Sequence, residues 1–281
     1  MAILKRISRY GGSLLGHSSP LHVELVGVGR PAMLVHGEFS DGRLAWSRQR
    51  ETLPGRQLAL IDRRGYGRSP RAAAYTINQD ATDLFTAADA LGWDQFDLVG
   101  HSYGGVVALV AAGMAPERLR SLLVIEPPCL GLLPNDPEVI RLRNATTAVR
   151  DQSATLTPEE IAEGFFAALN GPESVETLRM SRGWSALVSS ADRFPRTEPP
   201  MDFTESQLAG IPLTLPVVVM TGTASHAALQ HLAHHIATKI PQATLTVVPG
   251  AGHAVQFNAQ AFAETFERLA PIAGSSRSGD M

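Results

Sequence analysis

Short apolar runs set off by glycine, proline or charged residues alternate along this chain with segments whose apolar positions recur every three or four residues. The runs at 21–26, 32–35, 58–61, 96–99, 121–125, 216–220 and 244–248 read as strands, the inner ones apolar enough to be buried on both faces. Helical spacing marks 42–53, 78–91, 106–115 and 255–269; in the second of these, Ala81, Leu84, Phe85, Ala88 and Leu91 form one apolar stripe. Strand followed by helix, repeated, predicts the α/β class with a mostly parallel sheet and helices on both faces. Between 127 and 211 the alternation gives way to helical segments at 137–150, 158–170, 172–182 and 183–191, with Pro137, Pro158 and Pro172 placed where helices begin. The pattern therefore predicts a core built from 1–126 and 212–272, a helical cap at 127–211 over the sheet edge, and a small, polar tail at 273–281.

Composition narrows the function. A chain of 281 residues, 44% hydrophobic and 18% charged, can bury a large core. Its net charge of −3 is too balanced to favour nucleic acid or an anionic membrane, so the expected partner is a small molecule, with a homo-oligomer left open. Cys129 stands alone, which excludes an internal disulfide and a cysteine-rich zinc site and makes a reducing cytoplasm the expected compartment. No run has signal-peptide or membrane-spanning length. The expected chemistry needs neither metal nor cofactor.

The candidate chemistry centres on Gly100-His101-Ser102-Tyr103-Gly104, which fits the G-x-S-x-G elbow between a buried strand and an alanine-rich apolar helix. There Ser102 is lifted clear of the sheet as a nucleophile. Acyl transfer also needs two backbone N–H donors for the oxyanion, one after the nucleophile and one in the loop after an earlier strand. Tyr103 and Glu38 occupy those places; Glu38 is an unusual occupant, whose carboxylate must point away from the oxyanion or stay protonated. The loop 62–69, DRRGYGRS, lacks the lysine and spacing of a phosphate-binding loop and reads as structural.

LVHGEF at 34–39, DRRGYGRS at 62–69, GHSYGG at 100–105 and PGAGHAVQF at 249–257 together resemble the α/β-hydrolase superfamily. The resemblance implies an eight-stranded sheet and a triad in the order nucleophile, acid, histidine. His253, delivered by a glycine-rich loop between the last strand and a helix, is the expected general base. His101 is expected on the far side of the turn, and His231, His234 and His235 on a wet helix face. The family's usual acid position, glycine plus three, holds Ser225, and no Asp or Glu lies between Ser206 and Ala263. Glu126, ending the strand after the elbow helix and followed by Pro127 and Pro128, opens on the same edge as Ser102 and is the expected acid. Asp97 begins its strand and belongs at the opposite edge. An acid so placed resembles the lactonases that open zearalenone with Ser, Glu and His.

The cap would make an enclosed apolar cleft. Phe165, Phe166, Leu169, Met180, Trp184 and Leu187 are candidates to line it, with Gly37, Phe39 and Trp184 the expected substrate contacts. Together these expectations describe a serine hydrolase of an ester or lactone. A carbon–carbon bond hydrolase of a diketone-like compound and a non-catalytic binding module remain alternatives.

Overall fold

The computed structural model describes residues 21–72 and 74–272. The expected tail at 273–281 and the first twenty positions of the expected core lie outside the described residues. Seven strands form one sheet: β1 Val23–Gly27, β2 Arg30–Val35, β3 Arg56–Ile61, β4 Phe96–His101, β5 Leu119–Ile125, β6 Val217–Gly222 and β7 Ala243–Val248. Their order is β1-β3-β2-β4-β5-β6-β7, parallel throughout except that β1 runs antiparallel to β3 at the edge. The eight strands implied by the resemblance are thus corrected to seven among the described residues. The chain's own apolar runs number seven, and each became a strand.

The helices are α1 Gly42–Ala45, α2 Gln49–Thr52, α3 Ile77–Ala90, α4 Tyr103–Met114, α5 Pro137–Gln152, α6 Pro158–Asn170, α7 Pro172–Arg179, α8 Trp184–Val188, α9 Glu205–Ala209, α10 Ala227–Lys239 and α11 Ala259–Leu269. Two expected single helices are broken. The one at 42–53 turns at Trp46, which is fully buried and has left helical geometry. The one at 255–269 divides at Asn258, whose ψ of 81° stops a short 3-10 turn and whose side chain accepts from Ala261 N–H to start α11. No helix among the described residues is long and apolar enough to cross a membrane.

Each sheet face has its own apolar layer. On one side α4 is buried from Tyr103 to Ala112 against α3 and the strands, as its all-round apolar sequence requires. On the other, Trp46 packs on Phe262 and Phe262 on Phe266 beneath Leu34, Leu60 and Ile125. The register aligns the strand ends, with Val35 beside Gly100, Gly100 beside Val124, Ile125 beside Met220 and Gly222 beside Val248. The loops after β2, β4, β5, β6 and β7 therefore open on one edge. At the other end of β4 the fully buried Asp97 accepts from Arg30, Arg56 and Ser121, each at 2.8 Å, so its charge is compensated. Helices α5 to α9 all lie between β5 and β6, and α6 with the 191–196 turn is packed onto the loop after β2: the Phe39 ring meets Phe165 at 4.5 Å, Phe166 at 5.4 Å and Phe194 at 5.5 Å.

Candidate active site

The junction of β4 and α4 holds Ser102 at φ 52° and ψ −125°, where L-residues seldom sit. Strand and helix approach closely only because their glycines lack side chains. A Cβ on Gly100 would meet Gly104 O at 2.2 Å, and one on Gly104 would meet Val35 O at 2.4 Å. The Ser102 N–H donates to Ile125 O at 2.8 Å, tying the turn to β5. Such a conformation costs about 1–3 kcal/mol and lasts only where its surroundings over-determine it. Ser102 Oγ does not cap the helix it begins, which leaves the hydroxyl available for chemistry.

Two further strand ends bring a histidine and a carboxylate together. His253 Nδ1 donates to Glu126 Oε2 at 2.7 Å, while Glu126 Oε1 accepts from Thr221 Oγ1 at 2.8 Å and Gly222 N–H at 2.9 Å. The acid comes from β5 and the two groups that hold it from β6. Burial pushes the fully enclosed Glu126 carboxyl up, but hydrogen bonds and the facing His253 outweigh it, with Gly222 and the Ser225 hydroxyl acting in the same direction. The net result is a pKa below the ordinary carboxylate value, hence a charged acid that accepts and cannot donate. Because Glu126 holds Nδ1, the other ring nitrogen of His253 is the one left to act on a hydroxyl. Ser225, at the position where the family usually carries its acid, is buried and its Oγ makes no well-formed hydrogen bond.

His101, expected on the far side of the turn, does not border the cavity that Ser102 lines, and it makes a contact that the sequence did not reveal. Its ring lies 4.8 Å from the His253 ring, and its Nε2 donates to His253 O at 2.9 Å. The reason is that the loop carrying His253 passes over this residue. Burial, with His253 nearby, lowers the His101 pKa to about 3, so the ring is neutral and holds the loop through its Nε2–H.

Neither the Glu38 N–H nor the Tyr103 N–H donates to any described residue, and both residues border the same cavity as Ser102. The Glu38 carboxylate is turned to Arg63, whose nitrogens donate at 3.0 and 3.3 Å, and to the Tyr66 hydroxyl. Burial opposes the Arg63 charge, yet Asp80 and Glu38 hold its pKa above the ordinary value. Its guanidinium lies over the rings of Tyr66 at 4.7 Å and Tyr103 at 4.3 Å. The 62–69 loop is structural, as its sequence suggested. Asp62 accepts from Gly42 and Arg68 N–H at 2.9 Å each, and Arg64 pairs with Asp83 at 2.6 Å. Gly37 lies against Ser102, since a Cβ there would meet Ser102 Cβ at 2.8 Å.

The cavity over Ser102 has a volume of about 60 Å³. At roughly 10–15 Å³ for one water, that is room for about four to six waters. Pro128, Leu130, Leu142, Phe165, Leu169 and Met201 make its apolar wall, and Thr146, Thr147, Arg150 and Thr197 its polar one. Of the expected lining residues, Phe165 and Leu169 are present. Met180 is 81% exposed, and Gly37, Phe39, Phe166, Trp184 and Leu187 do not border the cavity. Trp184 instead packs on Phe166 and donates its indole N–H to Glu159 at 3.0 Å. Sequence reasoning missed Leu142, Thr146 and Arg150, although their i, i+4, i+8 spacing places them on one face of α5.

A sequence model of the alpha/beta hydrolase family matches residues 32–265. The chain belongs to that family. It is 32% identical to lipase LipV of Mycobacterium tuberculosis over 168 residues, 54% of this chain and 64% of the lipase. It is 37% identical to 2-hydroxymuconate semialdehyde hydrolase of a Pseudomonas species over 105 residues, 35% of this chain and 37% of that enzyme. Neither match spans two thirds of the relative. Among solved structures, an alpha/beta hydrolase from Sphaerobacter thermophilus superposes with a TM-score of 0.66 at 25% identity, covering 89% of this chain and 100% of that one.

For an alpha/beta hydrolase, the chemical capacity of this edge follows from its parts. It presents a hydroxyl on a rigid turn, an imidazole oriented by a buried carboxylate, and two unspent backbone donors beside an apolar cavity. Among the described residues no three or more His, Cys, Asp or Glu are grouped to hold a metal ion.

Proposed function

We propose that this alpha/beta hydrolase cleaves an ester or lactone of a fairly apolar small molecule through an acyl-enzyme on Ser102. The observation that carries the reading is the His253–Glu126 pair at 2.7 Å on the edge where Ser102 occupies its strained turn. His253 takes the Ser102 proton as Oγ attacks the carbonyl, and the Glu126 charge stabilises the imidazolium. The Glu38 and Tyr103 N–H groups hold the oxyanion, helped by the positive end of α4. The protonated His253 then donates to the leaving alkoxide. Water, deprotonated by the same ring, releases the acid and restores Ser102. Helices inserted between β5 and β6 act as a cap, which must shift for a substrate larger than the closed cavity.

Carbon–carbon bond hydrolysis is the second reading, favoured by the similarity to 2-hydroxymuconate semialdehyde hydrolase. The deciding experiment is mass analysis of wild type and Ser102→Ala after exposure to a small fluorophosphonate, followed by turnover of aryl esters, lactones and vinylogous diketones. The expected result is one adduct on Ser102, absent from the variant, and turnover of esters or lactones above diketones. An unlabelled Ser102, or full ester turnover by Ser102→Ala, overturns the proposal.

A further inference from the structure

One wall of the cavity offers hydrogen-bond donors with nothing to receive them. Arg150, on α5, donates through one terminal nitrogen to Phe194 O and to Thr197 O, the latter at 2.7 Å, and lies over the Phe194 ring at 4.3 Å. Its Nε and second terminal nitrogen have no hydrogen-bond partner among the described residues. A guanidinium on the wall of a closed cavity is a ready partner for an anion. No acceptor on the lining is left to meet it. Glu38 is the one carboxylate on the lining, and both its oxygens are engaged by Arg63 and Tyr66.

We propose that Arg150 forms an anion subsite in this cavity, which takes a carboxylate carried by the substrate a few atoms from its scissile carbonyl. This rests on the ester-hydrolase reading of Ser102. A planar guanidinium with two free donors matches a carboxylate in geometry and charge. Ser102 and Arg150 border the same small cavity, so the spacer between the two carbonyl carbons is short. The substrate class is a monoester of a short dicarboxylic acid, or a lactone bearing a carboxylate.

The alternative role for Arg150 is a clamp on the 194–197 turn through its two carbonyl contacts. The two roles separate in selectivity. For monomethyl and dimethyl esters of succinate, glutarate and adipate, wild type is expected to show a higher kcat/KM on at least one half-ester than on its diester. Arg150→Met, which keeps the apolar stem, is expected to lower that half-ester to diester ratio by about 10- to 100-fold. Arg150→Lys is expected to restore part of it. A ratio that stays constant while both rates fall identifies a clamp and overturns the proposal, as does a wild type with no preference for any half-ester. Binding of free succinate, glutarate and adipate to Ser102→Ala by calorimetry tests the subsite without turnover. If no ester is hydrolysed, binding that Arg150→Met abolishes sustains the subsite and places the failure in the ester reading. Absence of binding overturns the subsite itself.

Discussion

Replacing Glu126 by Gln changes one oxygen for an NH2 in a site whose partners leave the amide one workable orientation. Thr221 Oγ–H and Gly222 N–H both donate to Oε1, at 2.8 and 2.9 Å, so the Gln oxygen must take that place. Turned the other way, the amide NH2 would face two donors, at a cost of about 1–3 kcal/mol for groups left unsatisfied. The NH2 is therefore directed at His253 Nδ1, where a donor now meets what had been a donor. The ring relieves the conflict by moving its proton to the other nitrogen. That nitrogen is the one that must accept the Ser102 proton, so the variant holds the base in the wrong tautomer with its geometry nearly intact. A triad acid lost in this way costs about 10³- to 10⁴-fold in turnover, or about 4–5.5 kcal/mol.

The assay is kcat/KM on an activated aryl ester, with chemical denaturation to establish that the variant is folded. A folded Glu126→Gln protein with more than about a tenth of wild-type kcat/KM would refute the reasoning, because His253 would then be oriented by something else. A second arm exploits Ser225. Its buried Oγ lies close enough to help lower the Glu126 pKa, so Ser225→Asp in the Glu126→Gln background is expected to recover at least about tenfold of the lost rate. If it recovers none, the acid's contribution depends on the β5 strand end itself.

Three other outcomes follow from distances and charges in the same region. Gly37→Ala puts a methyl where it meets Ser102 Cβ at 2.8 Å and Oγ at 3.3 Å; kcat is expected to fall about 10- to 100-fold, with unfolding by denaturant little changed, and an unchanged kcat would contradict the contact. Asp80, fully enclosed, is pushed up to about 7 by burial against the pull of Arg63, so the folded protein binds this proton more tightly than the unfolded chain does, whose value is near 3.8. Its contribution to stability is therefore complete below about pH 4 and declines as pH rises toward about 7; Asp80→Asn should flatten that decline in denaturation at about pH 5 and about pH 8, and parallel curves would reject it. Trp184→Phe removes the bond to Glu159 outside the cavity, so about 1 kcal/mol of stability is expected to go while kcat/KM stays within about twofold, and a large kcat/KM loss would return Trp184 to the substrate.

How much of this was legible before the structure depends on what kind of constraint each feature obeys. Strands buried on both faces must be apolar along their whole length, so all seven were visible as runs, and the errors of one or two residues lie at their ends. Ser102 and His253 stand in glycine-rich turns whose composition is dictated by close backbone approach. Glu126 was reachable by elimination, because 207–262 contains no carboxylate and a parallel sheet places the β5 end beside the β4 end. The cavity wall was not legible in the same way. Trp184 and Phe39 have the chemistry of ligand contacts, yet both are consumed in ring packing and helix contacts, whereas Arg150 reads as one more surface cation on a polar helix. Which face of α5 turns inward is decided by its packing against α6 and α10, at long range. The His101 contact was missed for a similar reason, since the partner that fixes the ring comes from a loop 152 positions away.

The backbone holds one regularity that no residue pattern discloses. Among the described residues, the non-glycine positions with positive φ are Phe39 at 55°, Ser102 at 52° and Glu126 at 46°. They follow β2, β4 and β5, which are neighbours in the sheet. Glycine would relieve each of these turns at little conformational cost, and none of the three is glycine. Each side chain is occupied: Phe39 anchors the inserted helices, Ser102 carries the free hydroxyl, and Glu126 holds His253. At about 1–3 kcal/mol apiece, strain at three adjacent strand ends is a large fraction of the roughly 5–15 kcal/mol that keeps a domain folded. It is offset by ties between the same strands: Ser102 N–H to Ile125 O at 2.8 Å, Glu126 N–H to Met220 O at 3.0 Å, and Gly222 N–H to the Glu126 carboxylate. Strain and restraint are thus shared across β4, β5 and β6, so that Ser102 and Glu126 are held by one piece of backbone. A substitution that loosens one of these ties should disturb both residues together, which is why the Ser102 and Glu126 geometries are best regarded as a single structural unit.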